Sequence, residues 1–286
     1  MNKDVLATQN TEYNVYELVR NHEWTLDKMF QVAADYTQEM DGEPGWTAGD
    51  QYGIVGTSKV HYQLLLSGSG IKFVDKNESG VPYFAFSGQH VTEVVDKILE
   101  LNSTPSYYNN NDSYNGGVVT TEFMNNRALF LASTLNGIVR ENNVTVGIIP
   151  APLYNTDQEN YMTIEVGGLL TCIPSTLKSE DTENVSMIVE ALCCASCNDV
   201  IPKYKETILK TQIADTEDDA EMIDILFSTM VYDLGCSTWA NDIRLSIMNN
   251  VFHTRNKGWT SFIAAMTPSI NGTISDTVTA INGFIE

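Results

Sequence analysis

Short apolar runs alternate with helical patterns along the first 163 residues, and this alternation limits the possible fold more than any other feature. Residues 128–132 and 145–149 are apolar runs with the length of a buried strand. Elsewhere, apolar side chains recur every three or four residues, which is the spacing of one helical face. Strands that alternate with helices are typical of α/β folds. We therefore expect an α/β lobe, with helices over 25–40, 59–67 and 90–101.

The helix predicted over 25–40 carries its own start signal. The Thr25 hydroxyl is suited to cap the first turn. Trp24 and Met29 stand at the two positions of a hydrophobic staple. A turn-forming run at 41–45 then stops the helix. The chain is therefore expected to begin as folded structure and not as a loose tail.

Five motifs follow one another in a recognisable order, namely WTLDKM at 24–29, GDQYG at 49–53, NRALF at 126–130, GIIPAP at 147–152 and YDLG at 232–235. This order resembles that of bacterial extracellular solute-binding proteins of family 1, the sugar-binding components of ABC importers. The resemblance extends from Asn2 to Glu286. Asn126 stands where the family usually has glycine, and asparagine tolerates left-handed backbone geometry better than most residues.

The resemblance implies an α/β fold of the periplasmic-binding-protein type II kind, with one nearly complete lobe and a partial second lobe. Residues 1–164 together with 211–286 would form the second (C-terminal) lobe, and 165–210 would be a remnant of the first. The family's opening strand–helix units are not recognisable, so the chain is expected to lack its N-terminal portion. Within the remnant, a helix over 182–197 and a shorter one after Pro202 are expected to pack on a returning strand at 169–173. Further helices are expected over 215–232 and 270–285.

The charge balance restricts the possible partners. The chain has 16 basic and 37 acidic side chains, a formal net charge of −21. Nucleic acids and anionic membranes are bound by clustered basic residues, so we expect neither as a partner. No run of eighteen apolar residues predicts a membrane span. The first residues also lack the features of a signal peptide. The family is exported, usually as a membrane-anchored lipoprotein, so this agrees with a missing N-terminal portion.

Neither the cysteines nor the acidic loop predicts a metal site. Cys193, Cys194 and Cys197 continue an apolar helical pattern, where cysteine behaves as a small core residue, and no second ligand pair suggests zinc. The family often carries a calcium-type loop after the first helix. Here Pro44 and Trp46 interrupt it, and too few carboxylates remain for a calcium ion. We expect no metal and no cofactor.

Catalytic signatures are also missing from the sequence. The four histidines are isolated, and no nucleophile elbow, P-loop or dinucleotide fingerprint is present. We therefore predict a binding protein without catalytic residues. Abundant carboxylates leave an acid-rich glycoside hydrolase fragment as one alternative. A lobe kept as a scaffold, with no role in transport, is the other.

The resemblance implies three places in the lobe that contact a sugar. Sugar sites combine aromatic faces with hydroxyl, amide and charged groups. Tyr62 would otherwise be a core residue, and Ser58 and Thr134 would otherwise be helix caps. The expected ligand is a sugar or oligosaccharide, and the expected partners are the ABC permease subunits in the membrane. The candidate ligand-binding residues are Ser58, Lys59, His61 and Tyr62 after the first motif strand, Ser133 and Thr134 after the strand at 128–132, and Trp239 and Asn241 after the YDLG turn.

Overall fold

Helices and parallel strands together give the chain a mixed α/β architecture. The computed structural model describes residues 1–8, 13–109, 117–135, 144–165, 171–174, 176–212 and 214–285. The strands are β1 (Tyr52–Gly56), β2 (Val74–Lys76), β3 (Pro82–Phe84), β4 (Tyr107–Tyr108), β5 (Ala128–Ala132), β6 (Thr163–Glu165) and β7 (Met230–Tyr232). The helices before β6 are α1 (Lys3–Thr8), α2 (Val15–Arg20), α3 (Leu26–Tyr36), α4 (Ser58–Gly68), α5 (Gln89–Leu101) and α6 (Gly117–Met124).

The second half of the chain is mainly helical. A long helix, α7, is α-helical over Ser179–Ala195, Ile201–Lys203 and Lys210–Gln212, and π-helical over Ser196–Val200 and Tyr204–Leu209. It is followed by α8 (Glu217–Ser228), by π-helical turns over Asn241–Leu245 and Met248–His253, and by the last helix, α9 (Trp259–Ile285).

The central sheet has the order β4-β1-β5, and all its strands are parallel. Two smaller sheets accompany it, the antiparallel pair β2-β3 and the parallel pair β6-β7. The β6-β7 pair joins Ile164 to Val231, so the first and second halves of the chain are linked by a shared sheet. These parallel pairs confirm the α/β expectation at the level of fold class.

Helix α3 lies directly against β1, which is buried along its whole length. At Gly53 an added Cβ would lie 2.3 Å from the carbonyl oxygen of Ala33 and 2.4 Å from its Cα. Two backbones that approach so closely require glycine at the contact. Trp24 fixes the entry of α3, because its buried indole donates to the Pro150 carbonyl oxygen at 3.0 Å.

Three of the predicted helices are confirmed, with one changed end. The helices expected at 59–67 and 90–101 are α4 and α5. Helix α3 starts as predicted, since the Thr25 hydroxyl accepts from the Lys28 N–H at 3.3 Å. It ends at Tyr36 and not at 40, because Gln38 pairs with Gln51 instead. Asn126 has a φ of +58°, the left-handed geometry expected of it.

Three further predictions need correction. The run at 145–149 does not form a strand of its own, and only Val146 makes an isolated bridge, to Asn2. The helix predicted over 215–232 begins at Glu217 and ends at Ser228, because the residues after it pair with β6 as strand β7. The last helix begins at Trp259, well before the predicted start at 270.

Helix α7 differs most from its prediction. It passes through Pro202 without a break, since a π-helical turn precedes the proline and the ring lies at the start of the next short α-turn. Every described side chain from 181 to 208 is exposed or half-buried, so the expected packing on a returning strand is wrong. Residues 169 and 170 of that strand lie outside the described part, and Thr171 to Ile173 form no strand. Cys193, Cys194 and Cys197 are exposed, which overturns their assignment to the core.

The buried carboxylate of Asp219 connects the start of the chain to α8. It accepts from the Tyr16 hydroxyl at 2.5 Å, the Thr216 hydroxyl at 2.9 Å and the Ile148 N–H at 3.2 Å, and it pairs with the Lys3 ammonium. Burial alone would raise the pKa of Asp219, but these donors outweigh it and hold the pKa below its ordinary value. The carboxylate therefore stays charged and joins four segments.

Candidate functional site

The carboxyl ends of β1, β4 and β5 lie side by side at one edge of the central sheet, which we call the carboxyl edge. Gly56 pairs with Ala132, and Val55 pairs with Tyr108. The segments that follow these parallel strands therefore leave the sheet next to one another. In open α/β sheets, ligands bind at this edge. The structure thus brings two of the three predicted contact regions together, those after β1 and after β5.

The region after β1 presents the start of α4 at the carboxyl edge. Ser58 begins the helix, while its side chain lies outside the described part. Thr57 is the extended N-cap residue, and its side chain makes no capping hydrogen bond. Lys59 is half-buried in the first turn. A cation at the amino end of a helix favours a ligand with oxygen acceptors, such as sugar hydroxyl groups.

His61 and Tyr62 point into the core and not toward the edge. Each is 1% exposed. His61 Nε2 lies 2.6 Å from Asn102 Oδ1, and the imidazole stacks on the Tyr107 ring with centroids 4.0 Å apart. Tyr62 stacks on Phe252 at 4.8 Å. Both side chains are part of the core, and neither has a free face for a ligand in this structure.

His61 predicts a pH dependence of folding stability. Burial lowers its pKa from 6.5 to about 4. Between these two values the unfolded chain binds a proton that the folded chain does not, so stability falls as the pH falls from 6.5 toward 4, by on the order of 3 kcal/mol in total. Histidine NMR signals followed against pH should show a His61 midpoint near 4. A midpoint near 6.5 would contradict the burial of the neutral ring.

The region after β5 offers hydroxyl groups without an aromatic ring. Ser133 is half-buried and Thr134 is exposed, directly beyond the end of β5. The Ser133 hydroxyl contacts the Thr134 carbonyl oxygen at 3.4 Å, a weak bond that a ligand could replace. The residues beyond Leu135 to 143 are outside the described part.

The third region is packed against the last helix. Trp239 is 5% exposed, and its indole N–H donates to the Thr277 hydroxyl of α9 at 3.3 Å. The ring therefore has no free face on which a sugar could stack in this structure. Asn241 is exposed at the start of a π-helical turn. The sequence predicted both residues as ligand contacts, and it did not reveal that Trp239 is part of the core.

Arg255 lies near the carboxyl edge and was not predicted. Burial raises the pKa of Tyr62 and of Tyr107, and the positive charge of the Arg255 guanidinium partly offsets this rise. The Tyr107 hydroxyl in turn donates to the carbonyl oxygen of Gly56 at the end of β1, at 3.2 Å. Arg255 itself is exposed, with a left-handed φ of +49°. No local signal marks it, since it stands in an ordinary polar turn.

Three carboxylates gather on the loop after α3. One oxygen each from Glu39, Asp41 and Asp50 lies within 4.8 Å of the others. Asp50 is buried and accepts from the Met40 and Thr47 N–H groups at 2.8 Å each, which lowers its pKa. Through these hydrogen bonds, Asp50 stabilises the conformation of the loop. The expectation that no metal binds here stays a prediction.

No protein-family model and no curated protein matches this chain. The resemblance to solute-binding proteins therefore stays a prediction. The geometry of the carboxyl edge carries the functional argument.

Proposed function

We propose that the chain is a sugar-binding lobe of an ABC-importer solute-binding protein, of the periplasmic-binding-protein type II fold, without catalysis. The observation that supports the proposal is the carboxyl edge, where Gly56 pairs with Ala132, so that the segment with Lys59 and the segment with Ser133 and Thr134 leave neighbouring strands. Arg255 adds a second cation, whose charge acts on Tyr107, the residue that donates to Gly56 at the end of β1. Hydroxyl groups and cations in this arrangement suit a ligand rich in hydroxyl groups. The partners would be membrane permease subunits, and the protein would act outside the cell.

One feature supports a form with only one full lobe. Helix α7 leaves its large apolar side chains uncovered, as a segment separated from its covering lobe would do.

A single lobe should bind sugar weakly. A ligand held on one face keeps much of its hydration and gains only part of the burial that a closed cleft provides. Calorimetric titration with a panel of oligosaccharides should therefore show millimolar binding or none. Sub-micromolar binding by this chain would contradict the one-lobe form.

The site itself is tested by NMR with the same oligosaccharides at high concentration. Amide shifts are expected at Lys59, Ser133 and Thr134, and a Lys59→Ala/Thr134→Ala variant should lose them. Lys97→Ala is a matched control, since it removes the same side chain from α5, outside the segments that follow β1 and β5. Shifts confined to other surfaces would refute this site. Turnover of a chromogenic glycoside would instead favour the glycoside hydrolase alternative.

A further inference from the structure

Helix α7 presents a long apolar surface that the described part of the chain leaves uncovered. By length and composition alone, Glu180–Leu209 is apolar enough to cross a membrane, and none of its 18 most apolar consecutive residues is buried. Leu192 is 65% exposed and Ile188 59% exposed. Met187, Val200, Ile201 and Tyr204 are also exposed along this helix. Large apolar side chains exposed together in this way mark an interaction surface.

The charged residues of α7 are separated along its length. Its beginning is acidic, with Glu180, Asp181 and Glu183, and its final part carries three lysines, Lys203, Lys205 and Lys210, and one carboxylate, Glu206. Lys205 and Lys210 pair with Asp224, which fixes this end to α8, and Lys210 also pairs with Glu206. The helix therefore has a negative end, an apolar middle and a positive end held against the body. A surface of this kind is complementary to itself in the antiparallel direction.

A membrane fits this helix less well than a protein does. Glu190 and Asp199 lie within the apolar stretch, and a carboxylate at bilayer depth strongly opposes insertion. In a helix pair, by contrast, these carboxylates remain at the solvent-exposed rim of the interface. Ala191 and Ala195 lie between the large side chains and allow two helices to approach closely.

We propose that α7 pairs with α7 of a second copy of this chain, antiparallel, about a two-fold axis near Cys194. This register places Met187 opposite Ile201 of the second copy, Ile188 opposite Val200, and the acidic end opposite the basic end. A parallel pair would place carboxylates against carboxylates. The two helix dipoles also oppose each other favourably in the antiparallel pair. The inference does not rest on the proposed sugar-binding function.

The contact is large enough for a stable dimer. About 30 residues of helix span roughly 45 Å, and covering one face of such a helix buries on the order of 800 Å² on each copy, the usual size of a specific interface. The symmetric arrangement uses the same patch on both copies, as two-fold dimers do.

Sedimentation velocity of the full chain over a concentration series tests the association. We expect a species with twice the 31.7 kDa monomer mass. Ile188→Glu should raise the dimer dissociation constant at least about 100-fold, because the change occurs twice at the centre of the contact. Val81→Glu is the control, since Val81 is a similarly exposed apolar residue outside α7. A monomer at every concentration, or a dimer that Ile188→Glu leaves intact, would overturn the proposal.

Cross-linking tests the direction of the pair. In a background with the four exposed cysteines changed to serine, Met187→Cys and Ile201→Cys are made as separate variants and mixed. Diamide takes up the two thiol hydrogens as the disulfide forms. The antiparallel pair predicts disulfide-linked dimers in the mixture and few with either variant alone. Dimers with each variant alone, or flotation of the monomer with phospholipid vesicles, would overturn the antiparallel dimer.

Discussion

Asp219→Ala is expected to lower the free energy of unfolding by about 3–5 kcal/mol, because it removes the acidic partner of a buried ion pair. The Asp219 side chain has no exposed surface, and it receives hydrogen bonds from Tyr16, Thr216 and Ile148 besides its pairing with Lys3. Without the carboxylate, these donors lose their common acceptor and the Lys3 ammonium is left partly buried without its pair. Urea unfolding followed by circular dichroism measures the loss.

Glu217→Ala is the matched control for this change. Glu217 stands in the same first turn of α8 but is exposed, so its removal should cost less than about 1 kcal/mol. The loss of unfolding free energy in Asp219→Asn should lie between those of Asp219→Ala and Glu217→Ala, since asparagine keeps an acceptor oxygen but not the charge. The stabilising effect of Asp219 should also be lost below its ordinary pKa of 3.8, as the pH falls and the carboxylate becomes protonated. An Asp219→Ala variant as stable as Glu217→Ala would show that the cluster does not hold the segments together.

Gly53→Ala should destabilise the lobe by at least about 3 kcal/mol, a fall of roughly 6–12 °C in Tm. The added methyl group would lie 2.3 Å from the Ala33 carbonyl oxygen, closer than non-bonded atoms approach. Because the obstacle is helix backbone and not the tip of a side chain, α3 must move away from β1. Since β1 forms the middle of the central sheet, this shift should also disturb the carboxyl edge.

Gly272→Ala is the control with the opposite expected sign. Gly272 lies inside α9, and a Cβ there meets nothing within 4 Å. Alanine is the better helix former by up to about 1 kcal/mol, so this variant should be slightly more stable than the wild type. Scanning calorimetry of the two variants compares the same chemical change in two surroundings. Equal Tm values would contradict the close packing of α3 on β1.

The sequence predicted structure well where the determining interactions are local. The start of α3 depends on Thr25 and its near neighbours, and α5 depends on apolar residues three and four apart. The wrong predictions involve partners far away along the chain. Helix α8 gives way to β7 only because β6 is there to pair with it, and no short window reveals that.

The candidate site was predictable in its position but not in its details. The resemblance indicated the segments after β1 and β5, and the register of the sheet places them together. It gave no information on which side chains the core would enclose, so His61, Tyr62 and Trp239 were predicted as contacts although they are buried. Arg255 was missed because only the three-dimensional fold brings it near Tyr107.

The β6-β7 pair also has a consequence for the integrity of the chain. Asp233, just beyond β7, accepts from the Phe73 and Val74 N–H groups at 2.6 and 3.1 Å, so the C-terminal portion holds β2 as well as β6. A protease that nicks α7 would cut the one covalent link between these portions without separating them. The two fragments would remain a single folded body, and they could be produced as separate chains that complement each other.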